Sequence, residues 1–448
     1  MAFEKKIPQG RVSRLARLGK LAGGVAGGMI AEGARRLARG EAMPARELLL
    51  TPANAQRVSD ELAKLRGAAM KVGQLISMDA GNLIPPELAD ILARLRSDAH
   101  TMPMSELVSL LEQRWGSGWE DQFEQFSFTP LAAASIGQVH RARTKDGRNL
   151  ALKIQYPGVK NSIDSDVDNV ISLLKLSRLL PAEMEIDPLL NEAKRQLHLE
   201  ADYRAEAENL MMYHDWLADD SQFAVPEFVS ELSCEQILAM EYMAGEEIER
   251  LVSADRHKRE EVVTRLLQLF FREFFALHAV QTDPNFANFL YDPASTRIVL
   301  LDFGAVRKFP PEVVDGYRLI FEAAMTGQEE LIEKGAEQIG YFSQAILPEQ
   351  KQLVLNLFKM ALEPLCAEGG YDFATSDLAT RMRDTGLKLS FEKSYWHSPP
   401  VDALFLHRKL AGLFLLAVRL RVTIDCRGIA LAAFREQGLQ YGITNLHT

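Results

Sequence analysis

The chain has 448 residues, of which 47% are hydrophobic and 25% charged, and its net charge is -10. This length allows one large two-lobed domain with an appendage, or two to three ordinary domains, and the composition is that of a soluble globular protein. The negative charge argues against nucleic acid as a partner, because such binding depends on neutralising phosphates. Three widely separated cysteines without a CxxC pair exclude a disulfide framework and a structural zinc site, and they suit a reducing compartment.

Residues 1–48 differ from the rest because they hold ten Lys/Arg against four Glu, a net charge of +6 that leaves -16 on the remainder. Basic residues recur every third position over residues 11–20 with leucines between them, which predicts an amphipathic helix. Two interpretations stay open for residues 10–40: a solvated basic helix packed on the domain, or a peripheral membrane or dimer contact. No apolar run reaches the roughly 18–20 residues that cross a bilayer, so we expect a cytoplasmic protein, either soluble or peripherally membrane-associated.

The predicted elements fall into three blocks along the chain. Long Leu/Ala/Ile periodicity predicts helices over residues 56–112, and helices dominate again from 311 to 445. Between these blocks, short apolar runs bounded by turn residues predict strands, and amphipathic periodicity predicts the intervening helices. The predicted strands cover 123–139, 149–155, 225–229, 236–242 and a pair around 288–302, and the predicted helices cover 161–180, 189–217 and 258–279. A helical N-terminal part therefore precedes a β-rich lobe, which precedes a helical lobe.

The segment LAAASIGQVHRAR, residues 131–143, is similar to a phosphate-binding loop in which alanines replace glycines. On the pattern GxGxxGxV, Gly137 and Val139 fit the last two positions, while Ala132 and Ala134 occupy the positions of the first two glycines. Each added Cβ restricts the backbone and limits how closely its N–H groups approach a phosphate. The segment predicts either an altered nucleotide-binding loop or the start of a plain hairpin.

Lys153 lies between apolar neighbours in the predicted strand ALKIQ, where a buried ammonium needs an anionic partner. Kinases pair such a lysine with phosphates and with a helix glutamate. The predicted helix over 198–210 offers Glu200, Asp202 and Glu206, and the last two share one face at i,i+4 spacing. A solvated acidic helix face is the alternative interpretation of these acids.

The segment ILAMEYMAGEEI, residues 237–248, has the pattern of a kinase hinge: an apolar strand followed by Glu241, Tyr242 and Met243 and then a glycine. Backbone groups at such a hinge bond the edge of an adenine ring. A buried strand that ends in a turn explains the same pattern equally well when it is taken alone.

The segment HAVQTDPNFANFL, residues 278–290, places Asp283 five residues before Asn288, and Asp302 follows in a DFG triplet. Phosphate transfer from ATP needs Mg²⁺, and carboxylate and amide oxygens suit this hard cation. Asn288 and Asp302 are therefore the predicted metal ligands, and Asp283 is predicted to orient an attacking hydroxyl or water. The ordered set of small-residue loop, strand lysine, acidic helix, hinge, D-x4-N and DFG predicts a kinase-like site for ATP or ADP with Mg²⁺.

These motifs resemble those of the UbiB/AarF family of atypical kinases, most closely its coenzyme Q biosynthesis (Coq8-type) branch. The resemblance covers roughly residues 10–440. It rests on KVGQ at 71–74, AAASIGQVH, ALKIQYPGV, the ExDYxxEA motif that begins at Glu200, QTDPNFANFLYDP, and LHRKLAG at 406–412. The combination of KxGQ with AAASIGQVH is highly specific.

The resemblance implies an α+β, protein-kinase-like bilobal fold with a small β-rich N-lobe, a helical C-lobe and an N-terminal helical extension that carries KxGQ. The implied segments are a basic, Gly-rich segment (1–48), the helical extension (49–120), the N-lobe (121–245) and the C-lobe (246–448). In the family, the extension lies where a peptide substrate would dock in ordinary kinases.

The resemblance also implies a set of site residues. The implied catalytic residues are Asp283, Lys153, Lys71, Gln74, Glu200, Asp202 and Glu206. Lys71 and Gln74 are expected to approach the ExD acids, and Glu206 is favoured as the partner of Lys153. The implied nucleotide-binding residues are Ala132, Ala133, Ala134, Ser135, Gly137, Val139, Lys153, Glu241 and Met243.

Family members support ubiquinone biosynthesis, so the resemblance implies a Mg²⁺-dependent ATPase or small-molecule kinase coupled to quinone-pathway lipids or enzymes. A true protein kinase and a nucleotide-binding scaffold are the two alternatives. Two features argue against a protein kinase: Asn285 stands two positions after Asp283, where those enzymes have lysine, and only Ala305–Phe309 separate DFG from the prolines that follow.

Overall fold

The computed structural model of the chain describes residues 101–176, 187–342, 346–387 and 399–436, together with residues 62, 65, 67–69 and 71–73. The described residues form two compact units. Unit 1 comprises those up to Met211 together with Glu227–Met243, and unit 2 comprises Met212–Pro226 and those from Ala244 onward. Gln74 and the basic segment of residues 1–48 lie outside the described residues, and the predicted division into four segments stays a prediction.

Unit 1 is built on an antiparallel sheet of five strands, in the order β1-β3-β4-β6 with β2 beside β3. The strands are β1 Phe123–Phe126, β2 Ala132–Ala133, β3 Gly137–Thr144, β4 Asn149–Gln155 and β6 Ile237–Glu241. Along β4 the apolar residues Leu150, Leu152 and Ile154 alternate with less buried ones, so one face of the sheet packs into a core that includes Trp119. Burying each such aliphatic side chain contributes roughly 1.5–3 kcal/mol.

The helices of unit 1 are α1 Met104–Trp115, α2 Val159–Leu176, α3 Asp187–Glu200 and the beginning of α4, Tyr203–Trp216. The sequence predicts a single helix over 189–217, whereas the chain breaks between α3 and α4. Asp202 causes this break, because its Oδ1 accepts the N–H of Ala205 across 3.2 Å, as the cap of a new helix does. The expectation that Asp202 and Glu206 share one continuous helical face is therefore wrong, since Asp202 precedes the helix.

Unit 2 is mainly helical, with three small sheets in the part of the chain that the structure describes. Its strands are β5 Phe223–Ala224, β7 Glu246–Glu247, β8 Ala279–Gln281, β9 Phe289–Asp292, β10 Arg297–Leu300, β11 Val306–Lys308, β12 Tyr371–Asp372 and β13 Thr423–Ile424. Its helices after α4 are α5 Arg256–Arg272, α6 Pro311–Thr326, α7 Glu330–Ile339, α8 Pro348–Ala361, α9 Glu363–Cys366, α10 Leu378–Leu387, α11 Val401–Leu420 and α12 Cys426–Glu436. None of the described helices is both long and apolar enough to cross a bilayer.

The end of α5 positions the loop that carries the predicted metal residues. Phe270 stacks on Phe274, one helical turn apart, in the core of unit 2. The helix then widens into a π-helical turn over Glu273–Leu277, which ends at His278 in the left-handed conformation, with φ of 50°. Such π-turns are frequent next to functional sites. The chain reverses here and enters β8, which leads into the Asp283 loop.

Candidate nucleotide and metal sites

The alanine-rich segment forms a tight antiparallel hairpin in unit 1. β2 pairs with β3, with Ala132 opposite Val139. The N–H of Ala134 donates to the carbonyl of Gly137 across 2.9 Å, which closes the turn. A Cβ at Gly137 would lie 2.3 Å from the carbonyl oxygen of Ile154, so only glycine allows β3 to approach β4 this closely. Gly137, the glycine that this loop retains, is thus required for the close approach of β3 to β4.

Lys153 projects from the less buried face of β4 and forms an ion pair with Glu206 of α4. Only 14% of the lysine side chain and 5% of the glutamate side chain are exposed. Either charge alone would be unfavourable at this depth, and the ion pair compensates the cost of burying the ammonium and the carboxylate. The structure thus pairs Lys153 with Glu206, the acid that the resemblance favoured.

Glu200 joins the KxGQ segment to the alanine-rich hairpin. One carboxylate oxygen pairs with the buried Lys71, and the other accepts the hydroxyl of Ser135. A Cβ at Gly67, one helical turn before the lysine, would lie 2.4 Å from the carbonyl oxygen of Ser135. Gly67, one helical turn before the KxGQ lysine, therefore lies directly on the turn of the hairpin. Of the two ExD acids, Glu200 contacts Lys71, whereas the described contact of Asp202 is the cap of α4.

The predicted hinge follows β6. The N–H of Glu241 donates to Glu227 across 2.8 Å, and the N–H of Tyr242 donates to Asn149 across 2.8 Å. Met243, the last residue of unit 1, makes no backbone hydrogen bond with any described residue. The N–H groups of Glu241 and Tyr242 are thus both engaged within unit 1.

In unit 2, both carboxylate oxygens of Asp283 are engaged. Oδ2 accepts Nδ2 of Asn288 across 2.9 Å, and Oδ1 accepts Nη2 of Arg408 across 3.0 Å. Arg408 comes from α11, and only 8% of its side chain is exposed. Sequence reasoning assigns its motif, LHRKLAG, only to a C-terminal helix. The signal that could have identified it is the pair of adjacent cations, Arg408 and Lys409, between two apolar stretches of this helix.

Asn288 and Asp302 fit a magnesium ion. Because Nδ2 of Asn288 donates to Asp283, the other polar atom of this amide is Oδ1, the atom type that Mg²⁺ prefers. Asp302 holds the turn of the DFG triplet by accepting the N–H of Gly304 across 3.0 Å. The N–H of Leu301 donates to the carbonyl of Asn288 across 3.0 Å, which joins the two segments that carry the predicted ligands.

Mg²⁺ is commonly bound through one or two protein oxygens together with substrate phosphates and water, rather than by a closed protein cage. The described residues contain no group of three or more His, Cys, Asp or Glu that could hold a metal by themselves. The donor set present is thus suited to a metal that arrives with a nucleotide.

A buried polar network lies behind the Asp283 loop. Nζ of Lys409 donates to Oε1 of Gln281 across 3.1 Å. The N–H of Gln281 donates to Oε1 of Glu273 across 3.3 Å, and the hydroxyl of Tyr213 donates to the same oxygen across 2.6 Å. Burial lowers the pKa of Lys409 and raises the pKa of Glu273, while the charge of each opposes the shift of the other. Sequence reasoning missed this network because its members come from four elements.

The segment after the DFG triplet is taken up by β11, which pairs antiparallel with β8. The hydroxyl of Thr282 donates to the carbonyl of Ala305 across 2.8 Å, at the start of the same ladder. Helix α6 begins at Pro311, after two intervening residues, Phe309 and Pro310. The chain therefore has no stretch between Gly304 and α6 that could extend as a peptide-holding activation loop.

Residues 94–336 match the family model described as ABC1 atypical kinase-like domain, which covers more than half of the chain. The chain belongs to the ABC1 family of atypical kinases. The resemblance to the UbiB/AarF atypical kinases is thereby confirmed, and membership of this family places the chain in the kinase-like phosphotransferase class.

The relatives match the chain over most of its length. It is 38% identical to "Atypical kinase COQ8B, mitochondrial" of Rattus norvegicus, over 95% of this chain and 81% of the relative. It is 34% identical to "Atypical kinase COQ8, mitochondrial" of Saccharomyces cerevisiae, over 94% of this chain and 84% of the relative. The solved complex of Rv3197 with erythromycin from Mycobacterium tuberculosis has a TM-score of 0.55 at 25% identity, and covers 82% of this chain and 92% of that one. The predicted α+β, kinase-like fold class is confirmed.

Proposed function

We propose that this chain is a Mg²⁺-dependent, kinase-like ATPase that supports ubiquinone (coenzyme Q) biosynthesis. The observation that carries the proposal is the buried ion pair of Lys153 with Glu206, because kinases use such a strand lysine, paired with a helix glutamate, to bind the phosphates of ATP. The anchored Asp283 and the oxygen donors of Asn288 and Asp302 complete the residues that phosphate transfer from ATP requires. The COQ8 names of the relatives support the pathway.

Each residue has a separate role in this proposal. Lys153 contacts the phosphates of ATP or ADP, and Glu206 fixes the direction of its ammonium. Asn288 and Asp302 hold Mg²⁺, which supplies the positive charge that neutralises the triphosphate. Asp283, anchored on both oxygens, orients the attacking water or hydroxyl. The backbone of Met243 bonds the adenine.

We propose water or a small quinone-like phenol as the acceptor, rather than a peptide. The pairing of β11 with β8 supports this choice, because it removes the segment that holds peptides in protein kinases. Quinone-pathway lipids or enzymes are the proposed partners. The names of the relatives place those proteins in mitochondria; for this chain we propose a cytoplasmic location with peripheral membrane contact through residues 10–40, which lie outside the described residues.

Phosphate release from ATP tests the proposal, with and without Mg²⁺, quinone-like phenols and anionic liposomes. Wild type is expected to release phosphate only with Mg²⁺. Its rate of phosphate release is expected to rise when phenols or liposomes are added. Asp302→Asn is expected to lower the rate by about 10²-fold or more, as for loss of one electrostatic group in an active site. Asp219→Asn changes an exposed aspartate of the same unit and is expected to behave as wild type.

Two outcomes would favour the alternatives. Absence of phosphate release under every condition, with nucleotide binding intact, would favour the nucleotide-binding scaffold. Phosphate that is incorporated into a protein at a rate comparable to its release would favour a true protein kinase.

A further inference from the structure

We infer that Lys409 is a positioning residue that clamps both ends of the loop between β8 and β9, and that it thereby sets the affinity of this loop for Mg²⁺. The loop, residues 282–288, carries Asp283 and Asn288. The inference rests on the proposed Mg²⁺ and nucleotide function and adds to it a residue that touches neither ligand.

The geometry of Lys409 carries the inference. Its Nζ lies 3.1 Å from Oε1 of Gln281, the residue directly before the loop. The same Nζ lies 5.1 Å from the centre of the ring of Phe289, the residue directly after the loop. One ammonium group therefore contacts both ends of the loop, the first through an amide oxygen and the second through the face of an aromatic ring.

The rest of α11 follows the same loop. Arg408 donates to Asp283 near the start of the loop. Gly412, one helical turn after Arg408, allows α11 to approach Pro284, because a Cβ there would lie 2.4 Å from the Cβ of that proline. Lys409 is more deeply buried than Arg408, with 3% of the residue exposed against 8%. Its depth leaves the ammonium little choice of position.

If Lys409 only filled space in the core, lysine would be a poor choice for this position. An unbranched apolar side chain such as methionine fills a similar space without the cost of desolvating a charge. Glu273 supplies the opposite charge, and Gln281 lies between the two, donating to the acid and accepting from the lysine. Nε2 of Gln281 has no hydrogen-bond partner among the described residues. The bond from Lys409 is therefore what orients the side chain of Gln281 at the base of the loop.

Lys409→Met tests the inference through two binding measurements that need no turnover. The first is the affinity for a fluorescent ADP analogue without Mg²⁺, which depends on Lys153 and the hinge and is expected to stay unchanged. The second is the Mg²⁺ concentration that half-saturates the protein–nucleotide complex, which is expected to rise about tenfold, as for loss of other residues that orient a metal ligand. Lys409→Arg keeps the charge and is expected to recover part of this affinity.

The matched control is Lys334→Met, which removes an exposed lysine of α7 in the same unit and is expected to leave both affinities unchanged. If Lys409→Met folds poorly, the double variant Lys409→Met/Glu273→Gln also removes the opposite buried charge. Such paired replacement is less destabilising than loss of one partner. The double variant is expected to recover melting temperature but not the affinity for Mg²⁺.

A Mg²⁺ affinity equal to that of wild type, in either the single or the double variant, would overturn the inference and reduce Lys409 to a residue of the core. Wild-type protein that binds nucleotide without any Mg²⁺ dependence would instead refute the proposed function, and this result is obtained before any variant is compared.

Discussion

Arg408 and Asp283 are 125 residues apart in the sequence, and their side chains meet at 3.0 Å. The arginine brings a cation to a loop that has Asn285 where protein kinases have lysine. Arg408 is largely desolvated, so this interaction is stronger than an exposed ion pair of the same length. Helix α11 thus places a cation on the carboxylate of Asp283.

We expect Arg408→Gln to lower ATP turnover on the order of 10²-fold, because Asp283 loses one of its two anchors and a small misplacement of a reacting group has effects of this size. Phosphate release measures turnover, and nucleotide affinity is expected to change by less than about threefold, since the interaction acts on orientation rather than on binding. Arg419→Gln, which removes an exposed arginine of the same helix, is the control. Equal turnover of Arg408→Gln and wild type would show that Asn288 alone orients Asp283.

We expect Ala134→Gly to loosen the turn of the alanine-rich hairpin and to change the preference between ADP and ATP. The N–H of Ala134 closes this turn on Gly137, and a glycine at position 134 widens the range of backbone conformations. Binding titrations with both nucleotides measure the preference. Ala294→Gly, at an exposed turn of unit 2, is the control. Nucleotide affinities that stay unchanged would count against a steric role for the methyl group of Ala134.

Two helical glycines are expected to respond in opposite ways to the same substitution. Gly412→Ala places a methyl group 2.4 Å from Cβ of Pro284 and is expected to lower the free energy of unfolding by about 1–3 kcal/mol, as other overpacked sites do. Gly386→Ala, in α10, has open space around the new methyl group and is expected to raise it by up to about 1 kcal/mol. Denaturant unfolding measures both. A Gly412→Ala protein as stable as wild type would mean that α11 can move away from the loop at no cost.

His407 is expected to make stability depend on acid pH. Its Nε2 lies 2.9 Å from the hydroxyls of both Tyr317 and Tyr341, and burial lowers its pKa from 6.5 to about 4. The unfolded chain therefore takes up this proton at a higher pH than the folded chain does. The contribution of neutral His407 to the free energy of unfolding is fully present above about pH 6.5. As the pH falls toward 4, about 2–3 kcal/mol of this contribution is lost.

The measurement is the difference in free energy of unfolding between wild type and His407→Gln, followed from pH 7 to pH 4. This difference is expected to shrink or reverse as the pH falls, because only wild type loses the histidine contribution. His257→Gln, which removes an exposed histidine of the same unit, is the control. A pH-independent difference for His407→Gln would contradict the prediction.

The sequence predicts elements well where local pattern and turn residues agree. Strand β4 has the predicted bounds, 149–155, because its apolar alternation begins directly after a Lys-Asp-Gly turn. The predicted strand over 225–229 is wrong: β5 occupies Phe223–Ala224 and only a single bridge forms at Phe228. Pro226 lacks the N–H that a ladder needs, and this local preference outweighs the apolar run.

In the candidate site too, residues that a local sequence pattern marks can be predicted, and residues that act through distant contacts cannot. Asp283, Asn288 and Asp302 can be named from the sequence, because one continuous segment carries them at a recognisable spacing. Arg408 and Lys409 cannot, since they contact this segment only after α11 packs on the loop. Spacing along a chain predicts which groups do the chemistry, whereas the groups that hold them in place depend on packing between distant elements.

In many protein kinases, phosphorylation of the activation loop creates new arginine contacts that switch the enzyme on. Residues 305–310 of this chain contain no serine, threonine or tyrosine, and three of them are held in the ladder between β11 and β8. A phosphate-controlled switch at this position therefore has no acceptor. A covalent mark that changes the rate of this protein would therefore have to be placed outside residues 305–310.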